Sequence, residues 1–434
     1  MTSISGKGQT CHKRPRWKTL LFASLTLLFM SAVIELFSFL FIIGILETKI
    51  SGLRVDRALF GLTGIGRGQT GRVAHPYLGS VYNPDAHGEE FDGRTIPINT
   101  FGFADEKSSI QKRGPDRVVI GIAGGSVAWQ LSIAGEKALR DALQRSPAFR
   151  GKKIIIVRIA VSAFKQPQQL FALNYLLSLG AEFDYLINID GFNEVALAYT
   201  HNVSVGSFYV YPYDWHARSV VMMDPRKSAI AWKLLSARGS RQEWAQRFDG
   251  EWSRFSPTLN LIWKLRDRQL QVSWQRLNEE LAEARKTLGR GYHWTGPDEN
   301  PETEEELFQE MVRLWKRCSI QMSGTCSFND IEYLQFLQPN QYVKDSKPME
   351  KQEREIALKG DHFSDDYAEA VEKGYPLLIR EGADLVACGV RFHDLTMLFA
   401  NTKAPIYADS CCHYNRRGNE MLASAIAAAM LASR

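Results

Sequence analysis

The sequence predicts an α/β protein with a three-layer, doubly wound parallel sheet, a helical insertion and one N-terminal transmembrane helix. The sheet is indicated by short apolar strands that alternate with helical patterns. The transmembrane helix is indicated by Thr19–Leu46, an apolar run long enough to cross a bilayer. The insertion is indicated by long polar helical patterns between the third and fourth strands. The predicted organisation is a basic tail (1–18), an anchor (19–46), a linker (47–74) and a main domain (75–434) with its insertion at about 196–323.

The predicted strands are short and largely apolar, and the first two are rich in Val and Ile, which favours buried strands. They are Arg117–Ala123, Lys153–Ile159, Phe183–Asp190, Ile331–Leu337 and Ala404–Ala408. Strands that alternate with helices imply a parallel sheet, whose ligand sites lie at the carboxyl ends of the strands. Residues 75–103 carry turn pairs and short β-like pieces, so we expect them to pack on an edge of the main domain.

The charge pattern predicts the topology of the anchor. Residues 1–18 hold five basic and no acidic residues, so the N-terminus should stay in the cytoplasm of a bacterial cell, with the main domain in the periplasm. No small-residue cleavage site follows the apolar run, so we expect an uncleaved, single-pass anchor in the inner membrane. Glu35 lies inside this run, where a carboxylate is costly. It predicts either a contact with a membrane partner or a neutral acid near one interface.

Composition excludes several function classes. The net charge of +5 resides in the tail, and the nearly neutral main body lacks the basic footprint of a nucleic-acid binder. A formal G-x-G-x-x-G at Gly66–Gly71 has no strand before it and no helix after it, so a flexible linker is the better interpretation. Cys318 and Cys326 are close enough in sequence to bridge. The cysteine spacings do not indicate a zinc site, and we expect no metal and no cofactor.

Three groups of polar residues follow predicted strands. Ser126 comes after Gly124-Gly125, at a strand–turn–helix corner that would expose its hydroxyl. Asn193 follows the third strand and offers an amide donor for an oxyanion. Asp409 and His413 follow the last strand, where an Asp can orient an imidazole toward a serine. Each piece alone is ordinary, and their shared place at strand ends predicts a site.

These residues resemble the SGNH (GDSL-type) hydrolase family over roughly His75 to the end. Its serine, G-x-N and Asp–His blocks are matched by Gly124-Gly125-Ser126, Gly191-Phe192-Asn193 and Asp409…His413. KQPQQL and LQPNQY, at Lys165–Leu170 and Leu337–Tyr342, are similar to a membrane-anchored bacterial branch. The resemblance implies a flavodoxin-like fold, Ser126 as nucleophile, His413 as general base and Asp409 as its orienter. It also implies an oxyanion hole from the N–H groups of Ser126 and Ala163 and the amide of Asn193.

Two departures from the family pattern leave alternatives open. The family usually has a glycine where this chain has Ala163, and a positive φ there would cost an alanine more. The Asp–His spacing is four residues here and three in the family. Either a turn absorbs the extra residue, or Asp409 no longer contacts His413.

We also expect Gly191, Gln338 and Asn340 to contact a hydroxyl-rich substrate. The alternative for Gln338 and Asn340 is a Pro-bounded turn with capping amides. The expected function is a serine ester hydrolase (esterase or deacetylase) or an O-acyltransferase, acting on an acylated cell-envelope polysaccharide. The alternative is a non-catalytic envelope assembly or scaffold protein with a degenerate hydrolase fold.

Overall fold

The computed structural model describes residues 16–44, 71–215, 225–248, 256–287, 292–297, 301–359 and 363–432. Most of the predicted tail and linker lie outside these residues. The described chain forms two compact units. The first contains helix α1 and the segment Ser236–Arg276, and the second contains the remaining described residues.

Helix α1, Arg16–Gly44, is the apolar helix that the sequence predicts. Its stretch Leu20–Ile42 is long and apolar enough to cross a membrane, and it is the only such stretch among the described residues. The structure therefore bears out one N-terminal apolar helix with the length of a membrane span or signal anchor.

The second unit is built on a five-stranded parallel sheet. Two small antiparallel hairpins, β1–β2 and β3–β4, precede it in the chain. The hairpin strands are β1 (Arg72–His75), β2 (Gly79–Tyr82), β3 (Glu89–Phe91) and β4 (Arg94–Ile96). The sheet strands are β5 (Arg117–Gly124), β6 (Lys153–Arg158), β7 (Tyr185–Asp190), β8 (Glu332–Leu337) and β9 (Phe392–Asp394), in the spatial order β6-β5-β7-β8-β9.

The strand order makes the sheet doubly wound. From β5 the chain steps outward to β6, then crosses back to β7 and continues through β8 to β9. Because parallel crossovers are right-handed, steps in opposite directions place their helices on opposite faces. Strand order therefore reverses beside β5, and the crevice at the carboxyl ends of β5 and β7 is where such folds bind ligands.

The helices form two packing groups. In one group, α2 (Ser126–Ala134) and α3 (Glu136–Gln144) pack with the last helix, α11 (Arg416–Leu431). The other group contains α4 (Gln168–Ser178), a π-helix (Asn193–Asn202), α8 (Glu304–Phe328) and α10 (Ser364–Ala387). The remaining helices are α5 (Pro225–Arg247), α6 (Pro257–Thr287), α7 (Tyr292–Thr295), α9 (Lys351–Lys359) and a short 3₁₀ turn (Val203–Val205). The predicted insertion is therefore mostly helical where it is described, apart from turns such as those at 206–214.

The predicted fifth strand is wrong. Ala404–Ala408 is not in the sheet, and β9 fills that edge instead. Pro405 has no N–H to donate to a sheet. The backbone of the segment instead forms hydrogen bonds with the loop that follows it: the N–H of Asn415 donates to the carbonyl of Ile406 at 2.8 Å, and the N–H of Ala408 donates to the carbonyl of His413 at 3.0 Å. The segment thus forms the stem of the loop that carries Asp409 and His413.

Candidate active site

Ser126 lies where β5 turns into α2. Gly124 has a φ of +139°, and a Cβ there would lie 2.2 Å from the carbonyl oxygen of Ile189, so only glycine fits. Ser126 is the first residue of α2 and is only partly buried. The turn therefore presents the serine hydroxyl at the crevice, with the positive end of the helix dipole behind it.

His413 joins Ser126 to Asp409. Its Nε2 lies 2.7 Å from the Ser126 hydroxyl, although the two residues are 287 positions apart. Its Nδ1 contacts the Asp409 carboxylate. A carboxylate only accepts, so Nδ1 carries a proton, and in the neutral imidazole Nε2 is the acceptor that faces the serine hydroxyl. The three side chains form a continuous serine–imidazole–carboxylate relay.

The four-residue Asp–His spacing is accommodated by a turn capped by Asp409 itself. Oδ1 of Asp409 accepts the backbone N–H groups of Cys411, Cys412 and His413 at 2.9, 3.1 and 3.3 Å. Oδ2 remains for the imidazole. Of the two alternatives that the sequence left open, the structure has the first: the extra residue is absorbed, and Asp409 contacts His413.

A buried ion pair holds the stem of this loop. Glu353 of α9 accepts the backbone N–H groups of Ile406 and Tyr407 at 2.6 and 3.0 Å. Its other oxygen pairs with Lys347 at 2.7 Å, and both side chains are almost wholly buried. Because one carboxylate joins the loop to α9, the Asp409–His413 segment is anchored on an element outside the sheet.

The relay shifts the pKa values of its members in opposite directions. Burial would lower the pKa of His413, but the Asp409 carboxylate, together with the neighbouring Cys412 sulfur, outweighs burial and raises that pKa well above its usual value. Burial would raise the pKa of Asp409, but the charge of His413 and the hydrogen bonds from His413 and Cys411 lower it to about 2. The Asp409 side chain keeps 40% of its surface exposed, so the hydrogen bonds and charge dominate. Asp409 is thus a carboxylate across the working pH range.

Asn193 lies beside the serine turn. A Cβ on Gly125 would lie 2.2 Å from Nδ2 of Asn193, so the amide packs directly on the backbone that precedes Ser126. The same nitrogen donates to the carbonyl of Phe164 at 2.7 Å. An amide nitrogen carries two hydrogens, so one remains to donate to a developing oxyanion. The structure thus places Asn193 between the serine turn and the loop after β6.

Ala163 lies on that loop, with a φ of +61°. This is the left-handed conformation that a glycine would adopt without strain, and it costs an L-residue about 1–2 kcal/mol. The carbonyl of the neighbouring Phe164 accepts from the Asn193 amide, which holds the loop in this conformation. Alanine offers the same backbone N–H that a glycine would.

Glu194 is a buried residue that the sequence analysis did not single out. One oxygen accepts the N–H of Gly191 at 2.7 Å, and the other accepts the N–H of Gln166 at 3.1 Å and the amide of Gln169 at 3.0 Å. It therefore ties the turn that carries Asn193 to the loop that carries Ala163. The only sequence signal was an acid directly after the G-x-N block.

A fully buried polar network continues beneath this tie. Asp190 accepts from Trp315 at 2.8 Å and from Asn188 at 2.8 Å, as well as from Gln335. Burial, with the charge of Glu194, raises the pKa of Asp190 well above its usual range. Burial lowers the pKa of Lys165 to about 7 against the opposing effect of Glu194. The network fixes the carboxyl ends of β7 and β8 against each other.

Two of the three residues expected to contact substrate have backbone roles. Gly191 has a φ of +122°, and a Cβ there would lie 2.3 Å from Leu337, so it is required by the turn. Asn340 is fully buried; its side chain accepts from Tyr342 N at 3.0 Å and reaches the carbonyl of Cys411 at 3.4 Å. For Asn340 this arrangement favours the alternative of a Pro-bounded turn with capping amides. Gln338 is 4% exposed, and its Nε2 has no hydrogen-bond partner among the described residues, so this amide nitrogen caps no carbonyl.

Cysteine side chains also lie at the site. The sulfurs of Cys411 and Cys412 are 3.4 Å apart, and with His413 they offer three potential metal-ligand atoms within 4.8 Å of one another. Both ring nitrogens of His413 are already engaged by Asp409 and Ser126. The arrangement therefore fits the relay better than a metal centre. Cys318 and Cys326, which are close enough in sequence to bridge, are both free thiols.

Comparison with known proteins gives no assignment: no protein-family model matches the chain, and no characterised protein of significant sequence similarity was found.

Proposed function

We propose that the protein is a serine ester hydrolase or O-acyltransferase of SGNH type, anchored in the bacterial inner membrane with its main domain in the periplasm. The observation that carries the proposal is the relay from Ser126 through His413 to Asp409. Ser126, which follows β5, and His413, on the loop before α11, lie within hydrogen-bond distance of each other. This distance is the geometric requirement for an activated serine nucleophile.

The reaction follows from the geometry. The Ser126 hydroxyl attacks the ester carbonyl while its proton passes to Nε2 of His413. The negative charge on the former carbonyl oxygen is stabilised by N–H donors at the start of α2 and by the amide of Asn193. The carbonyl–oxygen bond to the alcohol then breaks, and the leaving alcohol takes the proton from His413. Ser126 is left as an acyl ester, and Asp409 stabilises the transient imidazolium.

The second half-reaction decides between the two activities. His413 removes a proton from water or from a sugar hydroxyl, and that oxygen attacks the acyl ester. The bond between the acyl carbon and the Ser126 oxygen then breaks, and His413 returns the proton to Ser126. Water gives an esterase or deacetylase, and a sugar hydroxyl gives an O-acyltransferase. The periplasmic location predicted by the basic tail favours an acylated cell-envelope polysaccharide as the substrate.

The relay also weighs against the scaffold alternative. In that alternative Glu35 and the helical insertion bind partners, and Ala163 and the Asp–His spacing mark a decayed site. Ala163 and the four-residue spacing are both accommodated in the site. A decayed site has no reason to retain an imidazole in contact with both a serine and a carboxylate.

Turnover of p-nitrophenyl acetate by the full chain in detergent tests the proposal. We expect the wild-type protein to turn the ester over. We expect kcat to be lower by at least about 10³-fold in His413→Ala, because this variant has no base to accept the serine proton. His75→Ala, at a histidine in the N-terminal hairpin, is the matched control and should retain activity. Equal turnover by the His413→Ala variant would overturn the mechanism.

A further inference from the structure

The first hairpin of the chain contacts the loop after β6. Its two strands place Arg72 directly opposite Tyr82. The Arg72 guanidinium donates to the backbone carbonyl of Ser162, and the Tyr82 hydroxyl lies 2.8 Å from the Ser162 hydroxyl. The N–H of Ser162 donates to the Tyr82 oxygen at 3.1 Å. Two facing side chains of one hairpin therefore hold the N–H, the hydroxyl and the carbonyl of a single loop residue.

We propose that Arg72 is a positioning residue of the oxyanion site: its bond to the Ser162 carbonyl holds the next N–H, that of Ala163, in the orientation that donates to the oxyanion. The proposal rests on the proposed ester chemistry and deepens it. It gives a role in the reaction to a hairpin that lies outside the serine–imidazole–carboxylate relay.

Residues 161–164 form a type II turn. The N–H of Phe164 donates to the carbonyl of Val161 at 2.9 Å, which closes the turn. Ala163 has a φ of +61°, whereas Ser162 is not among the residues of positive φ. A positive φ at the third residue alone is the type II form. The closing bond does not involve the central peptide, between Ser162 and Ala163, so the carbonyl and the N–H of that peptide are both available to other partners.

Arg72 fixes the direction of the central peptide. The carbonyl and the N–H of a trans peptide point in opposite directions, so a carbonyl that faces Arg72 directs the Ala163 N–H away from the guanidinium. Within the part of the chain that the structure describes, this N–H has no acceptor. The loop lies beside the serine turn, because the N–H of Val161 donates to the carbonyl of Gly124 at 3.3 Å. A free donor beside the nucleophile is what an oxyanion site requires.

The alanine makes the bond from Arg72 necessary. Type I and type II turns differ by a flip of the central peptide, and the type I form would return Ala163 to a negative φ. A left-handed φ costs alanine free energy that glycine would not lose. The strain at Ala163 therefore favours the flip, which would reverse the direction of its N–H, and the bond from Arg72 opposes that flip.

Arg72 is itself held in place by its neighbours. Its guanidinium carbon lies 5.6 Å from the ring centroid of Tyr82, which is within the range of a cation–π contact. Tyr82 is 2% exposed, and its ring centroid lies 6.3 Å from that of Trp129, on the helix that begins at Ser126. Glu89 of β3 supplies the opposite charge: burial raises the pKa of Glu89, and the positive charge of Arg72 opposes that effect. The guanidinium is therefore oriented before any substrate binds.

The same bond strengthens the donor. A cation that donates to a carbonyl polarises the whole peptide, so the N–H of that peptide becomes a better donor. The positive charge also favours negative charge that develops on the substrate oxygen. Arg72 thus contributes orientation and charge while it contacts only the loop.

Steady-state kinetics of the full chain in detergent, with p-nitrophenyl acetate, test the proposal. Arg72→Met removes the donors and the charge but keeps an unbranched apolar side chain over the Tyr82 ring. We expect kcat to fall by at least about tenfold, toward the roughly 10²–10³-fold of a lost oxyanion donor, with little change in KM. Arg113→Met is the matched control and should retain the wild-type kcat, because Arg113 donates to the carbonyls of Asn329 and Asp330 in the turn before β8.

Ala163→Gly in the Arg72→Met background separates positioning from general structural damage. Glycine removes the strain that favours the flipped peptide. The double variant should therefore recover kcat by about five- to thirtyfold relative to Arg72→Met, which is the cost of a left-handed alanine expressed as a rate factor. A loss of kcat caused by general damage would not be reversed by a glycine at this position.

Denaturant titration of the same variants reports the flip without ester turnover. The strain at Ala163 exists only while the peptide is held in the type II form. Ala163→Gly should therefore raise the denaturation midpoint when Arg72 is present. In Arg72→Met the midpoint should not rise, because the turn has already relaxed and glycine only adds freedom to the unfolded chain.

The outcomes separate this proposal from the hydrolase proposal. Wild-type turnover with unchanged kcat in Arg72→Met, or with no recovery in the double variant, overturns the positioning role and leaves the hydrolase intact. A midpoint that rises equally in both backgrounds overturns the hold of Arg72 on the peptide. A folded wild-type protein that does not turn the ester over overturns the hydrolase proposal and, with it, the role of Arg72 in the reaction.

Discussion

Asp409 holds His413 with both carboxylate oxygens: Oδ1 accepts the backbone N–H of His413 at 3.3 Å, and Oδ2 contacts its ring Nδ1. One side chain therefore fixes both the position of the residue and the orientation of the imidazole. The hydrogen bonds from Cys411 and Cys412 to the same Oδ1 close the turn. With the four-residue spacing, Asp409 thus accepts the backbone N–H groups of the turn and still contacts Nδ1 of His413.

Asp409→Asn tests this relationship. An asparagine oxygen can keep the backbone contacts, but the amide cannot accept the Nδ1–H of His413, which favours the wrong tautomer. We expect kcat to fall by about 10²-fold or more. Because Asp409 raises the pKa of His413, its loss lowers that pKa, and His413 is then the free base at lower pH.

The measurement is the pH profile of kcat/KM, whose acidic limb should move to lower pH in Asp409→Asn. Asp92→Asn, which removes a surface partner of Arg416, serves as the control and should leave the profile unchanged. An acidic limb that stays in place or moves to higher pH would contradict the assignment of Asp409.

Gly125→Ala tests the position of Asn193. The added Cβ would lie 2.2 Å from Nδ2 of Asn193 and 3.2 Å from the carbonyl oxygen of Phe164, so the amide must move. Loss of an oxyanion donor costs about 10²–10³-fold in kcat, and we expect a fall in that range with little change in KM. Gly324→Ala should retain full activity, because the added Cβ would have no atom within 4 Å other than the backbone of its own helix. Normal kcat in Gly125→Ala would remove Asn193 from the oxyanion site.

Ala163→Gly tests the strain in the loop after β6. Glycine adopts a φ of +61° without steric cost, whereas alanine does not. The gain is partly offset by the greater freedom of glycine in the unfolded chain, so we expect the free energy of unfolding to rise by up to about 1 kcal/mol. Denaturant titration of the full chain measures it.

The control for this strain is Ala142→Gly in helix α3, which should lower the free energy of unfolding by about 0.5–1 kcal/mol. Equal destabilisation by both substitutions would show that the loop at Ala163 is not strained by its alanine.

Glu194→Gln tests the buried hydrogen bonds by which Glu194 joins the Asn193 turn to the loop after β6. The amide can still accept at one position, but its NH₂ group would face the N–H of Gly191 or of Gln166, leaving a buried donor unsatisfied. We expect the free energy of unfolding to fall by about 1–3 kcal/mol. We also expect kcat to fall by a larger factor than the factor by which KM changes. Glu182→Gln, at a more exposed acid that also accepts a backbone N–H, should cost less than about 1 kcal/mol.

The first four strands of the sheet, β5 to β8, could be predicted because apolar runs of their length have few other stable arrangements. The fifth strand, β9, could not: Phe392–Asp394 is three residues long and includes a histidine and an aspartate, whereas Ala404–Ala408 is more apolar but contains Pro405. β9 is therefore too short and too polar to show an apolar pattern, whereas β6, the other edge strand, shows one. Composition alone therefore favoured the wrong segment.

The relay residues could be named from the sequence because they follow predicted strands and their residue types define the chemistry. The role of Glu194 could not be predicted, because its donors come from its own turn and from the segment 166–169, which meet only in the folded chain. Asn340 shows the opposite case, a polar residue that was expected to contact substrate and is buried. A polar residue after a strand can face solvent or support a neighbouring loop, and burial and hydrogen-bond partners distinguish the two.

The most direct test of the proposed function is covalent labelling of the full chain with a fluorophosphonate, followed by mass mapping of the modified peptide. The account predicts that Ser126 carries the phosphonyl group in wild type, that labelling is absent in Ser126→Ala, and that it is strongly slowed in His413→Ala. An unlabelled wild-type protein with intact fold, or a label on a serine other than Ser126, would contradict it.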